Sequence, residues 1–288
     1  MAYWDRRRLA RNERVARTLD ASRIVSPLLL IFSCAFASIA QVPSAHPRSV
    51  SVSIHKLTLI DDVVEKEIAE RRLPGAVVLV GRKGRVVWRK AYGDRAVEPA
   101  REPMTGNTIF DVASLTKVVA TATSIMILVE RGKVRLSDPL SKFIPEIKGE
   151  GRERITIELL LTHRAGYAPD FDLSERWMGH DAAIARLIKE PLRNPPGAKF
   201  IYSDIGDIAL GEVVQRASGL PLDEFARQNI FVPLGMHDTA FRPKPDLRPR
   251  IAPTEKRRGQ LAYLGDTPQD AGSAGEEWLR GEVHDPTS

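Results

Sequence analysis

This sequence predicts an α+β fold, and three observations support that prediction. Two β-branched runs, 75–80 and 85–92, flank Gly81-Arg82-Lys83-Gly84, a pattern typical of a β-hairpin. Further along the chain, apolar residues recur at helical spacing in several separate segments. Strands followed by a series of helices indicate an antiparallel sheet flanked by helices, with a mainly helical subdomain over roughly 118–250.

The composition is that of a globular protein without a nucleic-acid partner. The chain has 288 residues, of which 43% are hydrophobic, and this is enough to build a packed core. Its formal charge is +6, but the first 40 residues contain seven arginines and three acidic residues, so the remainder carries only +2. The basic excess therefore belongs to one terminus and does not indicate a binding patch on the fold.

Residues 1–40 are predicted to be a signal peptide or an N-terminal anchor. An arginine-rich start is followed by an uncharged run from Ile24 to His46, and small residues precede a cleavage point after Ala40. If the segment is not cleaved, residues 24–42 would tether the protein to a membrane. Either outcome predicts export, with the protein periplasmic, secreted or anchored to the outer face of the inner membrane.

The rest of the chain divides into a tether and one domain. Residues 41–56 contain Ser, Pro and Val without a helical period, so we interpret them as a tether before a domain over 57–288. The only cysteine is Cys34, inside the export segment, so the mature chain would have no disulfide or thiol chemistry. Helices are predicted over the following segments: 57–72, 139–144, 155–162, 204–217 and 222–230.

The stretch 108–130 organises the domain. It begins with an apolar, extended-type segment at 109–112, and twelve uncharged residues occupy 118–129. This pattern predicts an extended segment that turns into a buried helix. Ser114 would then lie at the helix N-terminus, with Lys117 one turn later on the same face.

A serine and a lysine in this arrangement indicate nucleophilic catalysis. A serine hydroxyl needs a neighbouring base and hydrogen-bond donors for the oxyanion that forms when it attacks a carbonyl. We expect burial against the apolar helix to lower the pKa of Lys117, so that its amine would accept the Ser114 proton. The same spacing recurs at Ser53 and Lys56, but no strand precedes that copy, and we interpret it as a chance match.

Three motifs resemble one known superfamily. They are FDVASLTKVVATA at 110–122, LLLTHRAGY at 159–167 and GAKFIYSDIGDIALGEVVQRASG at 197–219. Together they resemble the serine β-lactamase and penicillin-binding protein superfamily, and more narrowly its class C-like branch of β-lactamases, esterases and D,D-peptidases. The resemblance implies a β-lactamase/transpeptidase-like fold.

The resemblance also implies roles for individual residues. Ser114 resembles the acylated nucleophile, and Lys117 the base or proton relay. Tyr202 resembles the family's phenol that shuttles a proton, while His163 lies in a turn that is structural in the family. Asp204, expected to bind substrate, stands where the family more often has Asn. An ionised Asp cannot donate to an amide carbonyl but would pair with Lys117, which favours esters over amides or β-lactams.

One expected motif is missing, and two interpretations remain open. No Lys or His followed two residues later by Gly occurs between residues 204 and 288, so we expect the C-terminal strands of the sheet to be absent and the chain to be truncated. In the first interpretation the protein is a serine hydrolase acting on small-molecule ester, β-lactam or D-amino-acid peptide carbonyls in the cell envelope. In the second it is a catalytically inactive remnant or an envelope binding protein. No metal or cofactor is expected.

Overall fold

The computed structural model describes residues 42–172, 177, 179–254 and 278–282. The predicted export segment 1–40, with Cys34, lies outside the described residues, as does most of 255–288. Within the described ranges the architecture is α+β, as predicted, with helices beside a small antiparallel sheet. No helix in this part of the chain is long and apolar enough to cross a bilayer.

The sheet consists of three antiparallel strands in the order β1-β2-β3. Strands β1 (Gly75–Arg82) and β2 (Arg85–Ala96) form the predicted hairpin, with Gly75 paired to Gly93 and Arg82 paired to Arg85. Both turn residues between them have positive φ, which is the conformation of a tight two-residue hairpin turn. The third strand, β3 (Glu102–Pro103), was not predicted and adds a short pairing to the end of β2.

The predicted tether, 41–56, makes defined contacts with the domain. Ser44 pairs with Val86 of β2 in a short parallel bridge. Helix α1 (Ile54–Ala69) begins inside the tether, and the Ser53 side chain caps it by accepting a hydrogen bond from the Lys56 amide at 3.4 Å. The second Ser-x-x-Lys pair is therefore a helix N-cap, which agrees with its interpretation as a chance match.

Five further α-helices follow the sheet within the residues that the structure describes. Two of them adjoin π-helical turns: Lys117–Ala122 precedes α2, and Arg227–Phe231 follows α6. The predicted helix at 139–144 is only a 3₁₀ turn, Leu140–Lys142, and α4 was not predicted. The α-helices are α2 (Thr123–Glu130), α3 (Ile157–Leu161), α4 (Gly179–Lys189), α5 (Asp204–Ser218) and α6 (Leu222–Ala226).

The main core lies among the helices, around α5. Helix α5 packs against α2, α3, α4 and α6, and its inward-facing residues are fully buried. Because burial of each large apolar side chain stabilises the fold by about 1.5–3 kcal/mol, this cluster holds α5 firmly beside the helix that follows Ser114. The central members of the cluster are Ile125, Leu128, Leu160, Ile205, Val213 and Phe225.

The helix that follows Ser114 is covered on one face only. Ile125 and Leu128 are buried against α5, while Val118 is 59% exposed and Met126 is 48% exposed. A helix that is apolar all round is normally buried on every side. The sequence predicted a buried helix, and in the described part of the chain it is covered by α5, by α6 and by the π-helical turn Arg227–Phe231.

Candidate active site

Ser114 lies on a sharp turn between an extended segment and a helix. The extended segment is anchored by its neighbour in space, because the Ile109 amide donates to the Arg250 carbonyl at 2.9 Å and the Ala252 amide donates to the Ile109 carbonyl at 2.9 Å. Ala113 then adopts a positive φ of 44°, a rare conformation for a residue with a Cβ. Strain of this kind tends to occur at functional sites, and here it presents Ser114 on the surface.

Lys117 meets Ser114 one turn later, as the sequence predicted. Its Nζ lies 3.1 Å from Ser114 Oγ, and the Lys117 amide closes the first turn by donating to the Ser114 carbonyl at 3.1 Å. The π-helical turn begins at Lys117, and π turns inside helices are frequently found at functional sites. The Lys117 side chain is largely buried, so its amine is held beside the serine oxygen.

The charge state of Lys117 differs from the expectation. Burial acts to lower the pKa of Lys117, but contacts with the Asp204 carboxylate and with Tyr202, and the field of Asp207, outweigh burial and raise that pKa above its ordinary value. The resting group is therefore an ammonium, which has three donors and no acceptor. It donates to Ser114 Oγ and is not a base in this state, so the prediction of a lowered pKa is wrong.

Asp204 is the residue that contributes most to raising the pKa of Lys117. Ser203, not Asp204, caps α5: its Oγ accepts a hydrogen bond from the Gly206 amide at 3.3 Å and donates to the Ala168 carbonyl at 2.5 Å. This leaves the Asp204 carboxylate free to face Lys117, and its Oδ1 lies 2.8 Å from Lys117 Nζ. Asp204 Oδ1 and Lys117 Nζ are not oriented for a hydrogen bond, so the contact between them is an ion pair.

Tyr202 completes the group of predicted site residues. Lys117 Nζ lies 5.2 Å from the centre of its ring, and Tyr202 is 44% exposed, so the residue borders both the ammonium and solvent. The His163 ring lies against it with 4.5 Å between ring centres. Residues 88 positions apart in the chain, Ser114 and Tyr202, thus flank the same amine.

His163 supports the Tyr202 segment. Its Nδ1 accepts a hydrogen bond from the Ser203 amide at 3.3 Å, and its carbonyl accepts one from the Ile201 amide at 2.8 Å. Burial and the nearby Lys117 ammonium lower the pKa of His163, so its imidazole is neutral near pH 7. This geometry agrees with the structural role that the resemblance implied.

Asp207 is a site residue that sequence reasoning missed. It lies one helical turn after Asp204, so both carboxylates are on the face of α5 that meets the π turn. Its Oδ2 accepts a hydrogen bond from the Thr121 hydroxyl at 3.3 Å. Burial raises the pKa of Asp207 to about 6, partly offset by Lys117 and Thr121. The signal in the sequence was the pair of acids at i and i+3 beside the Tyr202 motif.

Comparison with known proteins agrees with the resemblance seen in the motifs. The family model described as Beta-lactamase matches residues 60–281. An N-acetylmuramyl-L-alanine amidase of Bacillus subtilis is 31% identical over 258 residues, covering 83% of this chain and 58% of its own. A protein of Salmonella paratyphi A named as a D-alanyl-D-alanine carboxypeptidase is 30% identical over 257 residues, covering 81% and 59%.

A solved structure supports the same conclusion about the fold. A class C β-lactamase superposes with a TM-score of 0.61 at 25% identity, over 69% of this chain and 54% of that chain. This chain therefore spans less than two thirds of the length of the relatives that it matches. The shared region includes Ser114, Lys117, Tyr202 and Asp204, since all four lie inside the matched residues 60–281.

Proposed function

Because this chain belongs to the β-lactamase family, we propose that it is a serine hydrolase that forms an acyl-enzyme at Ser114. One observation carries the proposal: an exposed serine hydroxyl lies 3.1 Å from a buried lysine amine, which also contacts Asp204 and borders Tyr202. A serine beside a lysine amine that in turn borders a phenol has the kinds of neighbours that acyl transfer requires.

In the proposed first step, Ser114 Oγ attacks a substrate carbonyl while its proton passes to the Tyr202 oxygen and the phenol's own proton passes to the leaving group. Lys117 does not take that proton directly, because its ammonium already donates to Ser114 Oγ. Its positive charge would instead stabilise negative charge on the phenol oxygen during the transfer. The bond between the carbonyl carbon and the protonated leaving group would then break, and Tyr202 would again be a phenol.

The oxyanion of the intermediate needs donors, and the Ser114 amide is one of them. Among the described residues this amide makes no hydrogen bond, and it lies at the start of a helix, where the dipole favours negative charge. In the second step, water attacks the acyl carbonyl, one of its protons passes to the Tyr202 oxygen, and the phenol's own proton passes to Ser114 Oγ. Ser114 Oγ leaves and recovers a proton, which returns the site to its starting state.

The substrates we propose are small molecules with an activated carbonyl: esters, β-lactams or D-amino-acid peptides. The names of the relatives refer to an amidase and to a D-alanyl-D-alanine carboxypeptidase, which supports the peptide class. Asp204 supports esters, since a carboxylate paired with Lys117 accepts hydrogen bonds but does not donate one to an amide carbonyl. We propose an exported protein of the cell envelope, with residues 24–42 as its membrane tether where they are retained.

A second candidate function is a family member that binds or is acylated but does not turn over. Apolar side chains beside Ser114 favour it: Leu115 is 60% exposed and Val112 is 47% exposed. An acyl-transfer site works best when water is excluded, and the exposure of these side chains leaves the site around Ser114 open to water. The protein would then bind a ligand, or acylate once, without hydrolysis.

Labelling and turnover together test both candidates. The purified protein is incubated with a fluorescent fluorophosphonate, a chromogenic short-chain ester and a chromogenic cephalosporin, beside Ser114→Ala and Tyr202→Phe. We expect labelling and ester turnover that are abolished by Ser114→Ala and reduced by about 100-fold or more by Tyr202→Phe. Labelling without turnover supports the second candidate. A label that persists in Ser114→Ala contradicts both.

A further inference from the structure

Asp207 is a carboxylate within the site that the proposed mechanism does not use. It lies on α5 one turn after Asp204, and the side chain is partly buried against the π-helical turn that starts at Lys117. An acid in this position must be held by partners, because an unpaired buried charge is costly. Its partner is Thr121, a fully buried residue whose hydroxyl donates to Asp207 Oδ2 at 3.3 Å.

The two carboxylates differ in how they meet Lys117. Asp204 touches the ammonium at 2.8 Å, whereas Asp207 acts on it through the field of its charge and lies beyond ion-pair contact. Two acids near one cation leave a net negative charge inside the site while both are ionised. A cation in a partly buried setting responds strongly to such a charge, since the effective dielectric there is well below that of water.

Thr121 and Lys117 are on the same face of the helix, four residues apart. The turn that contains both is π-helical, and it packs directly against α5. Thr121 therefore fixes the Asp207 carboxylate relative to the element that carries Lys117. Among the residues that the structure describes, the remaining charged or titratable groups at this contact are His163, from the turn after α3, and the Tyr202 phenol.

We propose that Asp207 is a positioning residue that, anchored by Thr121, keeps Lys117 charged and directed between Ser114 and Asp204. The inference extends the proposed function, because it concerns how the charge of the proposed relay residue is maintained. Burial raises the pKa of Asp207 to about 6, so the carboxylate supports Lys117 above that pH and is neutralised below it. The site would thus lose one of its two negative charges in mildly acidic surroundings.

Titration of the Lys117 amine itself tests this proposal. The full chain is treated with trace acetic anhydride between about pH 7 and 11, and acetylation of each lysine is measured by mass spectrometry, since only the neutral amine reacts. In Asp207→Asn we expect Lys117 acetylation at about pH 9 to rise roughly threefold to tenfold over wild type, because one negative charge near the amine is gone. Asp62→Asn, which removes an exposed acid of α1, should match wild type.

A rescue variant separates charge from structure. Asp207→Glu retains the carboxylate, so its Lys117 profile should return toward wild type, while a purely structural role would leave both variants altered alike. An Asp207→Asn profile that superimposes on wild type, in protein with native circular dichroism, overturns the proposal. This readout does not depend on catalysis: failure of the proposed function appears as lost labelling of Ser114, not as an unchanged Lys117 profile.

Discussion

Replacement of Asp207 by asparagine should stabilise the protein at neutral pH. In the folded state, burial raises the pKa of this carboxyl from 3.8 to about 6, so its ionisation at pH 7 is less favourable in the folded protein than in the unfolded chain. Asparagine has nearly the same shape, accepts the Thr121 hydrogen bond and carries no charge. The substitution therefore removes the cost of ionising a partly buried acid.

The difference between the folded and unfolded pKa of Asp207 sets the size of the expected stabilisation. A rise from 3.8 to about 6 corresponds to about 3 kcal/mol, at 1.36 kcal/mol for each tenfold change in the protonation equilibrium. Because the folded pKa is the higher one, the wild type is relatively most stable below about pH 4, and this advantage is lost as pH rises to about 6. Imperfect hydrogen bonding by the asparagine amide offsets part of this gain, so we expect Asp207→Asn to raise the free energy of unfolding by about 1–2 kcal/mol at pH 7.

Urea unfolding of the two proteins at several pH values checks this prediction. The free energy of unfolding of Asp207→Asn should exceed that of wild type at pH 7 and converge with it near pH 4. Comparing variants at each pH cancels the titration of other acids, and Asp62→Asn controls for loss of a negative charge. A difference that stays constant across pH, or a less stable Asp207→Asn at pH 7, refutes the reasoning.

The remaining predictions concern the backbone and a buried ion pair. Gly166→Ala should lower the free energy of unfolding by about 3 kcal/mol or more, because φ is +96° and a Cβ would collide with the Asn194 carbonyl. Gly149 also has a positive φ, +75°, but a Cβ there would meet open space, so Gly149→Ala should cost only about 1 kcal/mol. Thermal melts of the two variants distinguish collision from backbone strain alone. Ala113→Gly should leave stability near wild type, while Ala113→Val should cost more than about 1 kcal/mol at this positive φ; equal melts for both would contradict the strain argument. Glu212→Ala should destabilise by about 1–3 kcal/mol in urea unfolding, because Arg216 loses its buried partner and keeps only the exposed Glu146, and a loss below about 1 kcal/mol would mean that water replaces the carboxylate.

Much of the local structure could be predicted because it depends on residues close together in the chain. The hairpin of β1 and β2 follows from β-branched runs around a four-residue turn segment, and helix α5 from a serine cap and an apolar stripe. The Ser114 to Lys117 contact is of the same kind, since an i, i+3 pair on a helix is adjacent by geometry.

The errors concern short elements and a helix whose start the sequence does not mark. Strand β3 is only two residues long, and it exists because the end of β2 offers it a partner. Helix α4 is amphipathic, but its sequence carries no proline or serine cap to mark its start. The 139–144 segment is a 3₁₀ turn, since prolines at both ends leave too few residues for a longer helix.

The sequence by itself determined the serine, the lysine and their spacing, together with the family to which the chain belongs. Only the tertiary structure decided that the lysine is charged. Local reasoning considered the apolar helix and expected a neutral amine, but α5 brings Asp204 to 2.8 Å and places Asp207 behind it. The pKa of a group depends on every charge near it in space, and those charges lie almost ninety residues away in the chain.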